Sequence, residues 1–416
     1  MAGPRDALVA GGFETRRAKI PGGHCTGLLE RNPPPCARQT FATLAGTTAG
    51  TNRRNRVMKP IQAPRWTKAL AAFCVIVGLA SPIAQAAEKT DFKVCWSIYV
   101  GWMPWGEIQE SGLMKKWADK YGISVDIVQI NDYVESINQY TAGEFDGCSM
   151  TNMDALSIPA ASSVDTTALI VGDFSNGNDG IILKDKDNLA DIAGQNVNLV
   201  ELSVSHYLLA RALDTVDLKE ADLTVVNTSD ADMVAAYSTG DISAVVTWNP
   251  LLSEIDAMDG ANKVFDSAGI PGEIIDIMMV NTETLKDNPD FGKALVGAWY
   301  EMMSIMSKDD DAGIAARTAM ASASGTDLAG FDAQLATTEM FYDPADAVSF
   351  NKQEKLIDTM KFVAQFLFDH GILGEGASSP DFVGMEFPDG KTLGDTTNLK
   401  LRFDPTYMAM AAEGGL

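Results

Sequence analysis

From Lys93 onward the chain alternates short apolar, β-branched runs with amphipathic helical patterns across connections of only a few residues. That grammar restricts the fold to α/β, with mainly parallel sheets flanked by helices. The first run, 94–100, breaks off in a Gly/Pro-punctuated turn carrying Trp102 and Trp105, and a helical pattern starts at Glu107. Strands are expected at 124–130, 147–151, 167–171 and 180–183, with helices at 132–141 and 155–161. Near Lys184 the pattern repeats, with strands at 197–201, 223–227, 244–248, 263–266 and 273–281 and helices at 203–213 and 230–238. Two such groups joined by more than one extended strand imply two lobes with a cleft between them. The expected layout is 87–183 plus 277–416 for one lobe and 184–276 for the other. Residues 282–370 read as mostly helical, over 291–307, 312–322 and 345–368, and the remainder as an ordered wrap or tail without clear periodicity.

The N-terminal 86 residues are different material. Residues 1–57 hold eight Arg, one Lys and three acidic residues with no apolar periodicity, and cannot build a core. From Met58 come a short basic region (Lys59, Arg65, Lys68), the apolar run 69–80 and an A-x-A site ending at Ala86. This is the pattern of a secretory signal over 58–86, cleaved after Ala86, and it directs the chain to the periplasm. A signal works from the N-terminus, so 1–57 reads as sequence upstream of the true start, or else as a disordered extension.

Beyond residue 86 the chain carries 20 basic against 53 acidic residues, a formal charge of −33. Such an excess argues against nucleic acid and anionic membrane surfaces as partners, and suits a cationic or neutral ligand or simple solubility. Cys95 and Cys148 remain; after export they form one disulfide or stay as buried thiols, since each lies in an apolar run.

Phosphate-binding, nucleophile-elbow and zinc-helix motifs are all missing, and only His206 and His370 remain past the signal. A zinc site or serine–histidine triad lacks partners, so no catalytic residue, metal or cofactor is expected. What stands out is a set of polar and aromatic residues just past expected strand ends: Trp102 and Trp105, Asn152 and Asp154, Glu201 with Ser203 and His206, and Trp248. Ligands of open α/β sheets lie beyond those ends. Asp276 interrupts an apolar strand, where a carboxylate either pairs or does a job. Helix capping by the serines and ordinary packing of the indoles are the competing readings.

The segments V-C-W-S-I-Y-V-G-W-M-P-W, G-C-S-M-T-N-M-D-A-L, S-V-S-H-Y-L-L, V-V-T-W-N-P and I-I-D-I-M-M-V-N together resemble the periplasmic solute-binding components of ABC importers of the nitrate/taurine/aliphatic-sulfonate class. The likeness is nearest to the branch associated with urea carboxylase. It implies a Venus-flytrap fold, a ligand clamped between lobes, no turnover, a permease and ATPase as partners, and a monomer. By position it implies a wall of Trp102, Trp105, Asn152, Asp154, Glu201, Ser203, His206, Trp248 and Asp276. Binders of sulfonate or nitrate need donors, often arginine. Only Arg211, Arg317 and Arg402 lie past the signal, none in this wall. Indoles beside carboxylates suit a guanidinium-like cation, urea or an amine instead. Alternatives are a taurine, sulfonate or nitrate carrier, a ligand-sensing partner of a membrane receptor, and a relative of the thiamine-pyrimidine synthases. The last is disfavoured because those enzymes carry a cysteine-rich cluster.

Overall fold

The computed structural model describes residues 89–416 apart from 240, 241 and 375. The expected extension at 1–57 and signal at 58–86 lie outside the described residues. Strands β1 (Asp91–Trp96), β2 (Ser124–Gln129), β3 (Gly147–Thr151) and β4 (Thr166–Ser175) come first, each but the last followed by a helix. Then come β5 (Asp179–Lys184), β6 (Asn196–Leu199), β7 (Thr224–Asn227), β8 (Ala244–Trp248), β9 (Ala261–Asp266) and β10 (Ile275–Asn281). After a helical stretch the chain adds β11 (Thr338–Met340), β12 (Gly384–Phe387), β13 (Lys391–Leu393) and β14 (Leu399–Phe403).

Among the described residues these form a nine-stranded sheet, ordered β13-β12-β14-β4-β10-β3-β1-β2 with β11 on β4, and a five-stranded sheet, β7-β6-β8-β5-β9. Parallel pairing holds for β2-β1-β3 and β7-β6-β8. Strands next to the crossings, β10 in the larger sheet and β5 in the smaller, pair antiparallel to their neighbours, so each sheet is mixed rather than mainly parallel. The run 180–183, grouped with the first half on sequence, is β5 and belongs to the smaller sheet; Ile275 and Asp276 belong to the larger. Two stretches, β4 to β5 and β9 to β10, carry the chain between the sheets side by side. They are tied by Ser175 Oγ to Ser267 Oγ at 2.6 Å and Gly177 N–H to Ser267 Oγ at 2.7 Å. Gly177 has φ +113°, a conformation that favours glycine at the bend.

Cys95 and Cys148, register partners on β1 and β3, are joined by a disulfide. The helix Pro289–Met306 is buried along most of its length, with Phe291 stacked on Phe92 at 4.5 Å and Trp299 against Trp105 at 4.8 Å. The expected helix 345–368 is two, Pro344–Asn351 and Glu354–Asp369, because Gln353 takes an extended conformation between them. A further helix, Leu328–Leu335, capped by Asp327, was not anticipated. The stretch expected as an ordered wrap or tail is ordered: β12, β13 and β14 extend the larger sheet beyond β4, and a last helix, Thr406–Ala412, packs against β4. No helix of the described residues is long and apolar enough to cross a membrane.

Gly297 shows how closely the larger half is packed. A Cβ there would lie 2.4 Å from the Trp117 ring, and that indole is pinned by its Nε1–H to Glu301 Oε2 at 2.7 Å. Gly297→Ala gains about 1 kcal/mol of helix propensity but forces a fixed ring to move. Urea unfolding is expected to report a net loss of about 1–3 kcal/mol.

Candidate ligand site between the two sheets

Tyr99, Trp102, Tyr133, Thr151 and Asp276 of the larger half meet Asp179, Val204 and Trp248 of the smaller around one cavity, with about 230 Å³ of atom-free space. That figure counts space open to solvent; the enclosed room is about 10 Å³, enough for about one water molecule. Each side chain is put there by a strand end. Tyr99 and Trp102 follow β1 in a short turn, Tyr133 opens the helix after β2, and Thr151 ends β3 and caps the helix after it. Trp248 ends β8, while Val204 opens the 11-residue helix that Ser203 caps after β6.

The rings form a continuous wall: Tyr99 to Trp102 at 5.0 Å edge-on, Trp102 to Tyr133 at 5.6 Å, and Tyr133 to Trp248 at 5.5 Å edge-on. The two halves touch at the cavity rim, where Trp248 Nε1–H donates to the Ile98 carbonyl at 3.0 Å and Val100 N–H to the Asn249 carbonyl at 3.2 Å. Opposite them, Tyr133 N–H donates to Asp230 Oδ1 and Ser229 Oγ to Asp132 Oδ2. This is the closed arrangement of the cleft.

Behind the rings stand four aspartates, Asp154, Asp173, Asp179 and Asp276, each no more than 2% exposed. Asp154 Oδ2 accepts from the Tyr133 hydroxyl at 2.5 Å and from Thr151 Oγ1 at 2.8 Å, and the backbone N–H of Val204 also faces it, favouring its charged form. Asp173 Oδ1 accepts from the Tyr99 hydroxyl at 3.0 Å, and Asp179 Oδ2 from Ser175 Oγ at 2.6 Å. Burial pushes Asp154 up to about 6 and Asp173 and Asp179 up to about 7, against those hydrogen bonds. Burial, then the charges of Asp173 and Asp179, raise Asp276 well above the usual carboxylate range.

No arginine or lysine lines the cavity. Arg211 is held by Glu273, Arg317 by Asp309 and Asp332, and Arg402 by Asp165 and Glu386. Among the described residues no group of three or more His, Cys, Asp or Glu is arranged to hold a metal ion.

Of the residues singled out on sequence, Trp102, Trp248 and Asp276 line the cavity, and Asp154 sits directly behind Tyr133 and Thr151. Trp105 turns away into the core against Trp299. Asn152 is a structural clamp: its Oδ1 accepts from Ile275 N–H and its Nδ2 donates to the Glu273 carbonyl. Ser203 caps its helix, His206 Nε2 faces Glu220 at 3.2 Å, and Glu201 is exposed. Sequence reasoning missed Tyr99, Tyr133, Thr151, Asp173, Asp179 and Val204. Asp173 carries the signal that exposed Asp276, an acid inside an apolar strand. Tyr133 occupies the same position past a strand end as Trp102.

Carboxyls that hold protons more tightly folded than unfolded make the folded state the greater proton binder between about pH 4 and 7, so stability falls as pH rises through that window. The melting temperature of the ligand-free protein should therefore decline from about pH 5 to 8. Asp179→Asn, which removes one such group, should flatten that decline in a calorimetric pH series.

Comparison with known proteins agrees with this architecture. The alkanesulfonate-binding protein SsuA from Xanthomonas axonopodis pv. citri, bound to MOPS, superposes with a TM-score of 0.58 at 16% identity, over 70% of this chain and 96% of that one. The periplasmic nitrate-binding protein NrtA from Synechocystis PCC 6803 superposes with a TM-score of 0.51 at 14% identity, over 79% and 99%. At such identities the likeness establishes the fold, that of periplasmic binding proteins. In sequence, the taurine-binding periplasmic protein of Escherichia coli is 23% identical over 130 residues, which span 30% of this chain and only 40% of that protein. Residues 95–321, more than half of the chain, match the NMT1-like family, and the chain belongs to that family.

Proposed function

We propose that this protein is an extracytoplasmic solute-binding protein that closes two lobes, one around each sheet, on a small nitrogen-rich cation of guanidinium type and hands it to an ABC permease and its ATPase. The observation that carries the reading is the charge of the cleft: four buried aspartates behind an aromatic wall, with no basic side chain lining the cavity. A planar cation answers both features. Ring faces attract it by as much as about 2 kcal/mol when desolvated, and carboxylates accept its N–H groups in charge-assisted pairs.

A second reading has kinship in its favour. Taurine, alkanesulfonates and nitrate are what the related proteins are named for. An anionic head would need free donors, and the helix N-terminus at Val204, a natural anion seat, already faces the Asp154 carboxylate. The Tyr99 and Tyr133 hydroxyls are engaged with Asp173 and Asp154, which leaves the Trp102 indole N–H as a cavity donor without a protein partner. Export, the permease partnership and a transport rather than sensing role belong to the same proposal, supported by the fold and by the signal-like sequence at 58–86.

Calorimetric titration with guanidinium, urea, taurine and nitrate tests it: guanidinium should bind most tightly, and taurine or nitrate binding more tightly than both guanidinium and urea would refute it. Trp102→Ala, which removes a ring at the cavity, should weaken guanidinium by roughly tenfold or more without loss of the cooperative melt.

A further inference from the structure

Asp173 and Asp276 are register partners on the adjacent antiparallel strands β4 and β10, and their carboxyl groups lie within hydrogen-bonding contact of one another. Ionised carboxylates only accept, so such a contact is attractive only if one of the two carries a proton. Neither Oδ2 has a protein donor. Tyr99 already donates to Asp173 Oδ1, which leaves Asp276 as the better site for the proton. The pair is also held in place: a Cβ at Gly101 would lie 2.7 Å from Asp173 Oδ2, so the absence of a side chain at that turn is what admits the carboxyl.

The groups facing the pair offer no positive charge. From the turn after β1 comes the Tyr99 phenol, from the start of β5 the Asp179 carboxyl, and from beyond β11 the Tyr342 phenol. Asp154, behind β3, faces Asp179 in turn. Among the described residues that line the cavity none is basic, and Asp276 is one of them, where a guest would arrive.

We propose that the proton shared by Asp173 and Asp276 is exchanged for the charge of the guest, which makes Asp173 the residue that separates cationic from neutral ligands of the same shape. This rests on the cation reading of the cleft. The balance is simple: the protonated pair carries one negative charge, the cation enters, one proton leaves to solvent, and the doubly ionised pair with its guest again carries one negative charge. No covalent bond changes and no co-reactant is needed. A permanently charged guest should bind more tightly as pH rises, by up to one log unit per pH unit, until the free pair has lost its proton. Neutral urea, displacing nothing, should show no such slope.

Two measurements on the ligand-bare full chain test this, with Asp276→Asn as a second variant should Asp173→Asn fail to melt cooperatively. Infrared spectra of the wild type should contain protonated buried carboxyl absorption, part of which is lost in Asp173→Asn, whose amide can donate to an ionised Asp276, while what Asp154 and Asp179 contribute stays. Titration with guanidinium chloride at millimolar, non-denaturing concentration, in buffers of different ionisation enthalpy, should report about one proton released per cation by the wild type and none by the variant. Spectra identical in the two proteins would overturn the shared proton whatever the ligand. Guanidinium binding without proton release would overturn the exchange and leave the cation reading standing. A band in place with no guanidinium binding would overturn the cation reading and the exchange with it.

Discussion

The interaction on which the rest of the molecule depends is repulsion: four carboxyl groups gathered in a dry cleft, each taken out of water and none given a basic partner. An isolated buried charge costs several kcal/mol even after relaxation, and neighbouring like charges add to that. The fold answers with hydroxyl groups aimed inward. Tyr99, Tyr133, Thr151 and Ser175 each direct a donor at an aspartate, and the phenols and Thr151 come from the carboxyl ends of three neighbouring strands. The same tyrosines then present their rings to the cavity, so the residues that make the acidic floor tolerable also build the aromatic wall.

Much of this was legible in the sequence, and what was not has physical causes. Alternating strand and helix patterns disclosed the α/β class, and strand-end positions disclosed Trp102 and Trp248. Asp276 was visible because a carboxylate cannot sit in an apolar strand without a reason. Asp173 emits the same signal, but its strand is longer and continues past it to Ser175, which blurs the interruption. Tyr99 and Tyr133 escaped because a tyrosine at the end of an apolar run or the start of a helix reads as packing. Asn152, Ser203 and His206 went the other way: each stands at the right height in the sheet, yet capping and local hydrogen bonds consume it. β5 was grouped with the wrong half because antiparallel partners far along the chain leave no local trace, and β12 to β14 are three to five residues long, too short for alternation to register.

The contacts across the cleft mix neutral hydrogen bonds with ones to carboxylates, and Tyr207 also packs against Phe366 at 4.8 Å. Backbone and side-chain hydrogen bonds join Val100 to Asn249, Trp248 to Ile98, Tyr133 to Asp230 and Ser229 to Asp132. Bonds of this kind contribute about 0.5–1.5 kcal/mol each once exchange with water is counted. The paired crossings, tied through Ser175 and Ser267, join the two halves side by side.

The seat of Asp154 at the start of the helix Val204–Asp214 has a consequence for life among abundant oxyanions. When the two halves meet, the positive end of that helix receives a carboxylate belonging to the protein itself. A sulfate or phosphate diffusing in competes with a rival carried on the same chain, at an effective concentration of about millimolar or above. The polypeptide thereby sets an anion of its own where an inorganic one would otherwise settle.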